Sequence, residues 1–188
     1  MSTQEPPTPN GAAARILDAA DELLVEVGYD GLSMRAVAER ASVNKASVFY
    51  YYNSKAALIE RVLERYYAAH IEALVGAFEG GDTVEARLHR VIDAYMDFIE
   101  GNLRYPRLIQ QQVATGGAHR ELIERNLAPL LAWTREALAE IAPETGPLAA
   151  RHFFVTFSGT VINYFTYTPA LGDAWGTDPL SPQGLAER

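Results

Sequence analysis

The chain has no cysteine among its 188 residues. This absence excludes disulfides, thiolate metal ligands and cysteine nucleophiles, and it fits a reducing compartment. No apolar run approaches the ~20 residues of a membrane span, and the segment MSTQEPPTPNG has neither the positive nor the apolar region of a secretory signal. We therefore expect a cytoplasmic protein that makes no contact with a membrane.

Basic residues are also scarce, but their distribution says more than their number. The chain carries 16 Lys and Arg against 24 Asp and Glu, which gives a net charge of -8. That total disfavours nucleic acid as a partner. However, the segment from Arg35 to Lys55 holds four cations and a single acid, Glu39. A locally basic segment on an acidic chain is compatible with DNA contact.

Strand-like alternation is absent as well, because the apolar residues recur at three- and four-residue steps, which predict helices. Hydrophobic residues form 48% of the chain, enough for a buried core. We predict an all-α fold in which an N-terminal three-helix domain precedes a helical bundle. The predicted limits are a disordered tail at 1–11, the first domain at 12–55 and the second at 56–188. The stretch after Pro169 is loop-like, and the sequence leaves open whether it contributes a further helix.

Capping residues divide the N-terminal region into short helices. The first predicted helix begins at Ala12, and Gly28 ends it. Ser33 and Asn44 can each N-cap a short helix, and Ser54 can cap a long one. Two short helices joined by a tight turn, the second with a polar first turn, are typical of a helix-turn-helix that reads DNA.

The residues of this helix pair meet the physical demands of that motif. The first helix turns Val37, Ala38 and Ala41 inward, and the second buries Val43 and Val48. The first turn of the second helix has small and polar residues that suit base edges, namely Asn44, Lys45, Ala46 and Ser47. A helix N-terminus also attracts phosphate, because its free amides and its dipole favour anions.

Two consecutive segments carry a resemblance to a known family. They are GYDGLSMRAVAERA, at 28–41, and ASVNKASVFYYYNSK, at 41–55. Residues 12 to about 60 resemble the DNA-binding domain of the TetR/AcrR family of transcriptional regulators. That family typically reads small-Gly-Val-Ser-Lys-Gly-Thr-Leu-Tyr-His-Tyr-Phe, then a short turn, Ser-Lys and a long helix. The alternative, that VFYYY is core and the two lysines are solvated surface, loses weight because the whole register matches.

The resemblance implies a role for individual residues in DNA binding. Lys45 and Ala46 would face bases in the major groove, with Lys45 as a donor to guanine. Ser33 and Arg35 would reach the DNA backbone, and Arg35 also a base edge. The residues that would hold phosphates are Ser47, Tyr50, Tyr51 and Lys55. With Asn44 from the first turn, these nine residues are the candidate DNA-binding set.

Three positions depart from the family pattern. Phe49 replaces a common tyrosine, so one hydroxyl for phosphate is missing. Ala46 replaces the usual glycine, which holds the backbone further from the bases. Asn53 stands where proline is frequent, and we expect this change to be harmless in a turn. Tyr52, at the end of the same aromatic run, is predicted to pack inward.

The resemblance also implies that the remaining helices bind a small molecule and form a homodimer. We expect a small apolar effector, and the candidate contacts are Tyr95, Gln111, Trp133, Phe157 and Tyr164. For any single ring, simple core packing is the competing interpretation. The predicted dimer helices are Arg120–Ile141, bent at Pro129, and Leu148–Thr166, which would pair across a two-fold axis. The expected partners are thus a double-stranded DNA operator, a second copy and the effector.

An enzyme and a protein-interaction module are the alternative classes. His89, Asp93 and Asp97 share one helix face, but the apolar stripe lies on the opposite face. We therefore assign these three to solvent and predict no metal, no cofactor and no catalytic residue. The chain also lacks a Gly-rich phosphate loop, a GxSxG elbow and an HExxH helix. Loss of sequence preference in Lys45→Ala would distinguish a DNA reader from an interaction module.

Overall fold

The computed structural model describes residues 9–80, 83–114 and 120–187, apart from the side chains of 9–10, 111–114 and 173. The described residues form helices and no strand, which confirms the all-α prediction. The helices are α1 (Pro9–Gly31), α2 (Met34–Arg40), α3 (Lys45–Tyr52), α4 (Lys55–Phe78), α5 (Val84–Gly101), α6 (Arg104–Ala114), α7 (Arg120–Ala137), α8 (Ala150–Tyr167), α9 (Gly172–Trp175) and α10 (Pro182–Ala186).

Helix α1 differs from the prediction at both ends. It begins at Pro9, three residues before its predicted start and within the segment 1–11 that was expected to be a tail. Proline suits a first helical position, because its fixed φ is helical and its missing N–H would be unpaired there anyway. Residues 1–8 of that tail lie outside the described residues. Gly28 interrupts the helix with φ 71° and ψ -176°, and a last turn then reaches Gly31.

Side-chain caps start the helices of the helix-turn-helix, as predicted. The Ser33 hydroxyl accepts a hydrogen bond from the Ala36 amide at 3.1 Å and begins α2. The Asn44 carboxamide oxygen accepts from the Ser47 amide at 2.7 Å and begins α3. Each cap satisfies one of the amides that have no partner within the helix.

The two turns of this region contain non-glycine residues with positive φ. Ser42, between α2 and α3, has φ 53°, and Asn53, between α3 and α4, has φ 52°. Proline is fixed near -65° and cannot adopt the Asn53 conformation. The departure from the family at Asn53 therefore accompanies a turn that proline would not allow. Ser54 then caps α4 by accepting from the Ala57 amide at 3.1 Å.

The chain divides into two compact units, Met1–Tyr66 and Tyr67–Arg188. The first contains α1, α2, α3 and the first half of α4, and α1 contacts both α2 and α3. Its fully buried side chains include Ile16, Leu24, Leu32, Val37, Val48, Leu58, Ile59, Val62 and Leu63. The first unit thus continues beyond Lys55, while the domain limits 12–55 and 56–188 stay predictions.

The second unit packs its helices around α8. That helix contacts α5, α6 and α7, and Phe165 on its inner face is 1% exposed. The stretch after Pro169 does contain further helical elements, because a 3-10 turn at Thr168–Leu171 leads into α9, and α10 follows. Local caps explain α10, since Ser181 accepts from the Gly184 amide at 3.2 Å and Pro182 occupies the first helical position.

Candidate DNA-binding surface

The first turn of α3 is exposed, as a base-reading surface requires. Asn44, Lys45 and Ala46 are exposed, and Ser47 is half-buried. On the opposite face of the helix, Val48 is fully buried. Helix α2 packs against α3 and buries Val37 and Ala38. The packing of α3 through Val48 therefore leaves its polar first turn accessible.

Asn44 and Ser47 are hydrogen-bonded to each other in the free protein. The carboxamide oxygen of Asn44 accepts from the Ser47 amide at 2.7 Å and from the Ser47 hydroxyl at 3.0 Å. The oxygen of Asn44 is thus occupied by capping, which leaves its amide group as the donor that can address a base or phosphate. The cap fixes both side chains at the helix N-terminus.

Lys45 lies over the ring of Phe49, one helical turn later. Its ammonium nitrogen is 5.6 Å from the ring centroid, within the range of a cation–π contact. Phe49 is 40% exposed and Lys45 is also exposed, so the pair is accessible to solvent. Sequence reasoning treated Phe49 only as a missing hydroxyl and overlooked this contact. The i, i+4 spacing of a lysine and an aromatic residue is the signal that could have revealed it.

The three consecutive tyrosines of α3 have different environments. Tyr50 is 80% exposed, and its ring meets that of Tyr51 edge-on with centroids 5.1 Å apart. Tyr52 instead donates its hydroxyl hydrogen to the Ala13 carbonyl oxygen at 2.9 Å. The prediction that Tyr52 packs inward is confirmed. Tyr50 and Tyr51 remain available as phosphate donors.

The candidate residues outside α3 each have a contact within the first unit. Ser33 is the cap of α2, and Arg35 donates to the Glu39 carboxylate at 2.9 Å. This hydrogen bond, with the Glu39 charge, raises the pKa of Arg35. Lys55 donates to the Asp30 carbonyl oxygen at 3.2 Å. The Arg35 pair is solvent-exposed, so breaking it to reach a phosphate costs little.

Two arginines form ion pairs with four acids of α1. Arg40 donates to Glu22 and Glu26, each at 2.9 Å. Arg65 donates to Asp18 at 2.6 Å and to Asp21 at 2.5 Å. The sequence has no acid between Arg40 and Lys55. The net negative charge of the chain therefore does not extend to the exposed turn of α3.

Two of the effector candidates lie in a row of contacting rings in the second unit. Tyr95 is 3% exposed and its ring lies 5.5 Å from that of Phe157. His70 stacks between Tyr95, at 4.9 Å, and Phe98, at 4.6 Å. Burial lowers the pKa of His70 to about 4. Burial also raises the pKa of Tyr95 to about 12, against a hydrogen bond with Ser158 that lowers it.

The other effector candidates lie in separate contacts. Trp133 meets Phe78 edge-on at 5.7 Å, and Tyr164 donates to the Pro179 carbonyl oxygen at 3.1 Å. The side chain of Gln111 lies outside the described residues. An open depression of about 530 Å³ lies at the C-terminal turns, where none of the four described candidates lines it. Its described lining is Pro169, Gly172, Gly176, Thr177, Asp178 and Pro179.

The structure gives no support for a metal site in the part of the chain that it describes. No cluster of three or more His, Cys, Asp or Glu side chains is present there. His89, Asp93 and Asp97 are exposed on α5, as the sequence predicted. Among the same residues, none of the helices combines the length and the apolar character needed to cross a membrane.

Comparisons with known proteins agree with this geometry. Residues 16–62 match the model of the family described as bacterial regulatory proteins, tetR family. The transcriptional activator FasR of Mycolicibacterium smegmatis is 32% identical over 95 residues, which are 50% of this chain and 43% of FasR. The uncharacterised transcriptional regulator YvkB of Bacillus subtilis is 27% identical over 165 residues, 85% of this chain and 84% of YvkB.

A solved structure extends the likeness over nearly the whole chain. A TetR-like transcriptional regulator from Rhodococcus sp. RHA1 covers 98% of this chain and all of its own, with a TM-score of 0.67 and 21% identity. At this identity the match shows the fold. Together these comparisons identify residues 16–62 as a tetR-family domain, in a chain that resembles transcriptional regulators of that type over most of its length.

Proposed function

We propose that the chain is a ligand-responsive repressor that binds a pseudo-palindromic operator as a homodimer. The observation that carries the DNA-binding part is the exposed, acid-free first turn of α3, held in place by the Asn44 cap. A helix that presents donors at its N-terminus enters a major groove, and flanking donors hold the phosphates. The match of residues 16–62 to the family supports this assignment.

The individual contacts follow from exposure and donor type. Lys45 donates to guanine acceptors, with Ala46 and Asn44 beside it on the base-facing turn. The phosphate-binding set is Ser33, Arg35, Ser47, Tyr50, Tyr51 and Lys55. Phosphate contacts set position without sequence information, whereas Lys45 supplies preference at one base pair.

The proposed dimer uses α7 and α8 of each copy. On α8, Val155 is 68% exposed and Tyr167 is 65% exposed, although both are large apolar side chains. Burying such side chains against a second copy removes apolar surface from water. Two reading helices related by a two-fold axis would then meet successive major grooves about 34 Å apart.

The proposed effector acts through the ring row of the second unit. His70 belongs to α4 and stacks on Tyr95 of α5, which contacts Phe157 of α8. An apolar effector that displaces Tyr95 or Phe157 would shift α4, the helix that begins at Lys55. Coupling of about 1–3 kcal/mol is ordinary for such a switch, provided that the effector prefers one state.

We propose repression and not activation because repression requires less of the protein. A dimer bound across two major grooves blocks a promoter by occupancy alone, without a surface for polymerase. FasR, one of the relatives, is named an activator, so a measurement must decide between repression and activation. A reporter placed behind the selected operator should rise when the gene for this chain is deleted and fall when it is restored.

The first test is selection of bound duplexes from a random pool. The wild-type protein should enrich a palindrome, with affinity falling steeply as salt rises, about -0.9 in logarithmic slope per phosphate neutralised. Lys45→Ala should relax preference at one base pair of each half-site by roughly 1–3 kcal/mol. Arg107→Ala is the charge-matched control, because Arg107 is exposed on α6, outside the proposed surface.

Three outcomes would each contradict part of the proposal. Enrichment of no sequence by the wild-type protein would reject specific DNA binding. Equal effects of Lys45→Ala and Arg107→Ala would reject α3 as the reading helix. A dimer that persists unchanged in Val155→Glu would in turn reject α8 as the interface, as judged by sedimentation over a range of concentrations.

A further inference from the structure

We propose that Phe49 is a positioning residue for base readout, because its ring holds the Lys45 ammonium in place before DNA binds. This inference rests on the proposed function, in which Lys45 contacts a base. It adds a role for an aromatic residue that cannot itself bind phosphate through a hydroxyl. The departure from the family at Phe49 then has a function of its own.

The geometry of α3 favours this contact. Lys45 and Phe49 are four residues apart on one helix face, and their charge-to-centroid distance is 5.6 Å. Long side chains in a helix lean toward its N-terminus, so the Phe49 ring leans back toward Lys45. The exposed position of both residues allows the ammonium to keep water on its other side.

Electrostatics at the helix N-terminus add a second reason for the contact. Lys45 is the first residue of α3, where the positive end of the helix dipole repels a cation. Bending toward Phe49 moves the ammonium away from the free amides and onto the negative face of a ring. The Asn44 cap occupies the Ser47 amide, so the other amides of the helix start are the ones that can attract a phosphate. The lysine and the helix N-terminus thus address different groups on the DNA.

The consequence is a smaller entropic cost of binding. A free lysine loses much rotamer freedom when its ammonium is fixed on a base. A lysine already held against a ring loses less, and such preorganisation raises affinity without adding a contact to the DNA. The gain applies only to the base that Lys45 reads, so it increases discrimination at that base pair.

The first arm of the test uses the free protein. The ε-CH₂ protons of Lys45 should show an upfield ring-current shift in the NMR spectrum of the wild type. The shift should persist in Phe49→Tyr, which keeps the ring face, and disappear in Phe49→Leu. Identical Lys45 shifts in the wild type and in Phe49→Leu would overturn the proposal without any use of DNA.

The second arm measures base preference on the selected operator and on its single-base variants. Phe49→Leu should reduce discrimination at the Lys45 base pair roughly two- to fivefold, the size of an exposed cation–π contact. Phe49→Tyr should keep it. In a Lys45→Ala background, Phe49→Leu should cause no further loss at that base pair, as a double-mutant cycle requires.

The possible failures are distinguishable. If the wild-type protein selects no duplex, the proposed function fails, and the readout role of Phe49 fails with it. A second failure is that a duplex is selected while Phe49→Leu leaves discrimination at the Lys45 base pair unchanged, or weakens binding to all sequences equally. In that case only the role of Phe49 is overturned. Chemical unfolding of each variant identifies a loss that comes from an altered fold.

Discussion

The hydroxyl of Tyr52 donates a hydrogen bond to the carbonyl oxygen of Ala13 at 2.9 Å and so joins the end of α3 to α1. Burial raises the pKa of this phenol. Tyr50, two residues earlier, is 80% exposed. The aromatic run of α3 therefore combines a structural tyrosine with one that is free to meet a partner.

Removing the Tyr52 hydroxyl should affect stability, whereas removing the Tyr50 hydroxyl should affect DNA binding. Tyr52→Phe should lower the free energy of unfolding by roughly 0.5–1.5 kcal/mol, the net value of one hydrogen bond. Tyr50→Phe should leave unfolding unchanged and weaken DNA binding equally for all sequences, since phosphate contacts carry no base information. Urea unfolding followed by circular dichroism, with duplex binding in parallel, measures both. Similar losses of stability in the two variants would contradict this assignment.

Gly28 is predicted to be intolerant of any side chain for backbone reasons alone. Its φ of 71° and ψ of -176° lie in a region that is essentially restricted to glycine. A Cβ there would meet no heavy atom within 4 Å, so steric contact with neighbours does not contribute. Gly28→Ala should lower the free energy of unfolding by about 1–3 kcal/mol.

Gly76 provides a matched control, because its change to alanine should alter the free energy of unfolding in the opposite direction. It lies within α4, and a Cβ there would also meet no atom within 4 Å. Gly76→Ala should raise stability by roughly 0.5–1 kcal/mol, because alanine loses less backbone entropy in a helix. Thermal melts of both variants provide the comparison, and destabilisation by both would refute the conformational explanation for Gly28.

His70 should make the stability of the protein depend on pH. Its folded pKa of about 4 is below the unfolded value of 6.5, so folding favours the neutral imidazole. Stability is therefore complete above pH 6.5 and decreases as the pH falls toward 4, because only the unfolded state gains the proton. The loss should approach roughly 3 kcal/mol at the lower limit.

The pH prediction can be tested by comparing the wild type with a variant that lacks the His70 imidazole. His70→Phe keeps a ring between Tyr95 and Phe98 but cannot titrate, so the difference in its unfolding free energy between pH 7 and pH 4.5 should be smaller than that of the wild type. His89→Gln removes an exposed histidine and should behave like the wild type. Equal pH dependence of wild type and His70→Phe would exclude His70 as the cause.

Arg40 and Lys55 are both basic, but of these two only Lys55 should contribute to the salt dependence of DNA binding. Arg40 is bound to Glu26 and Glu22, and these hydrogen bonds raise its pKa. Arg40→Gln should leave the slope of log affinity against log salt unchanged, whereas Lys55→Gln should reduce its magnitude by about 0.9 if Lys55 contacts a phosphate. A change of slope in Arg40→Gln would indicate that Arg40 leaves its carboxylates for the DNA.

Local signals made the N-terminal region predictable from sequence. Ser33, Asn44 and Ser54 cap their helices through amides only three residues away, so the information lies within one turn. Gly28 likewise interrupts α1 through its own backbone conformation. The sequence left open whether a helix follows Pro169, because helices this short span too few residues to show a repeating apolar face.

Contacts between distant segments were beyond sequence reasoning. Arg40 was counted as part of a basic segment, but it pairs with acids of α1 that lie 14 and 18 residues away. His70 could have been surface or core from its position alone, and only the rings of α5 show that it is stacked. The effector candidates show the same limit, since Tyr95 contacts the ring of Phe157, whereas Trp133 contacts Phe78 and Tyr164 donates to the Pro179 carbonyl oxygen.

The division of the chain inside α4 has a consequence for gene recombination. Leu58, Ile59 and Val62 are core residues of the first unit, so a crossover at Lys55 would replace part of this core along with the second unit. A chimera that exchanges reading heads between relatives should therefore be joined near Tyr66. The junction must also add or remove no residue, because one inserted residue changes the helical phase of everything after it by about 100°.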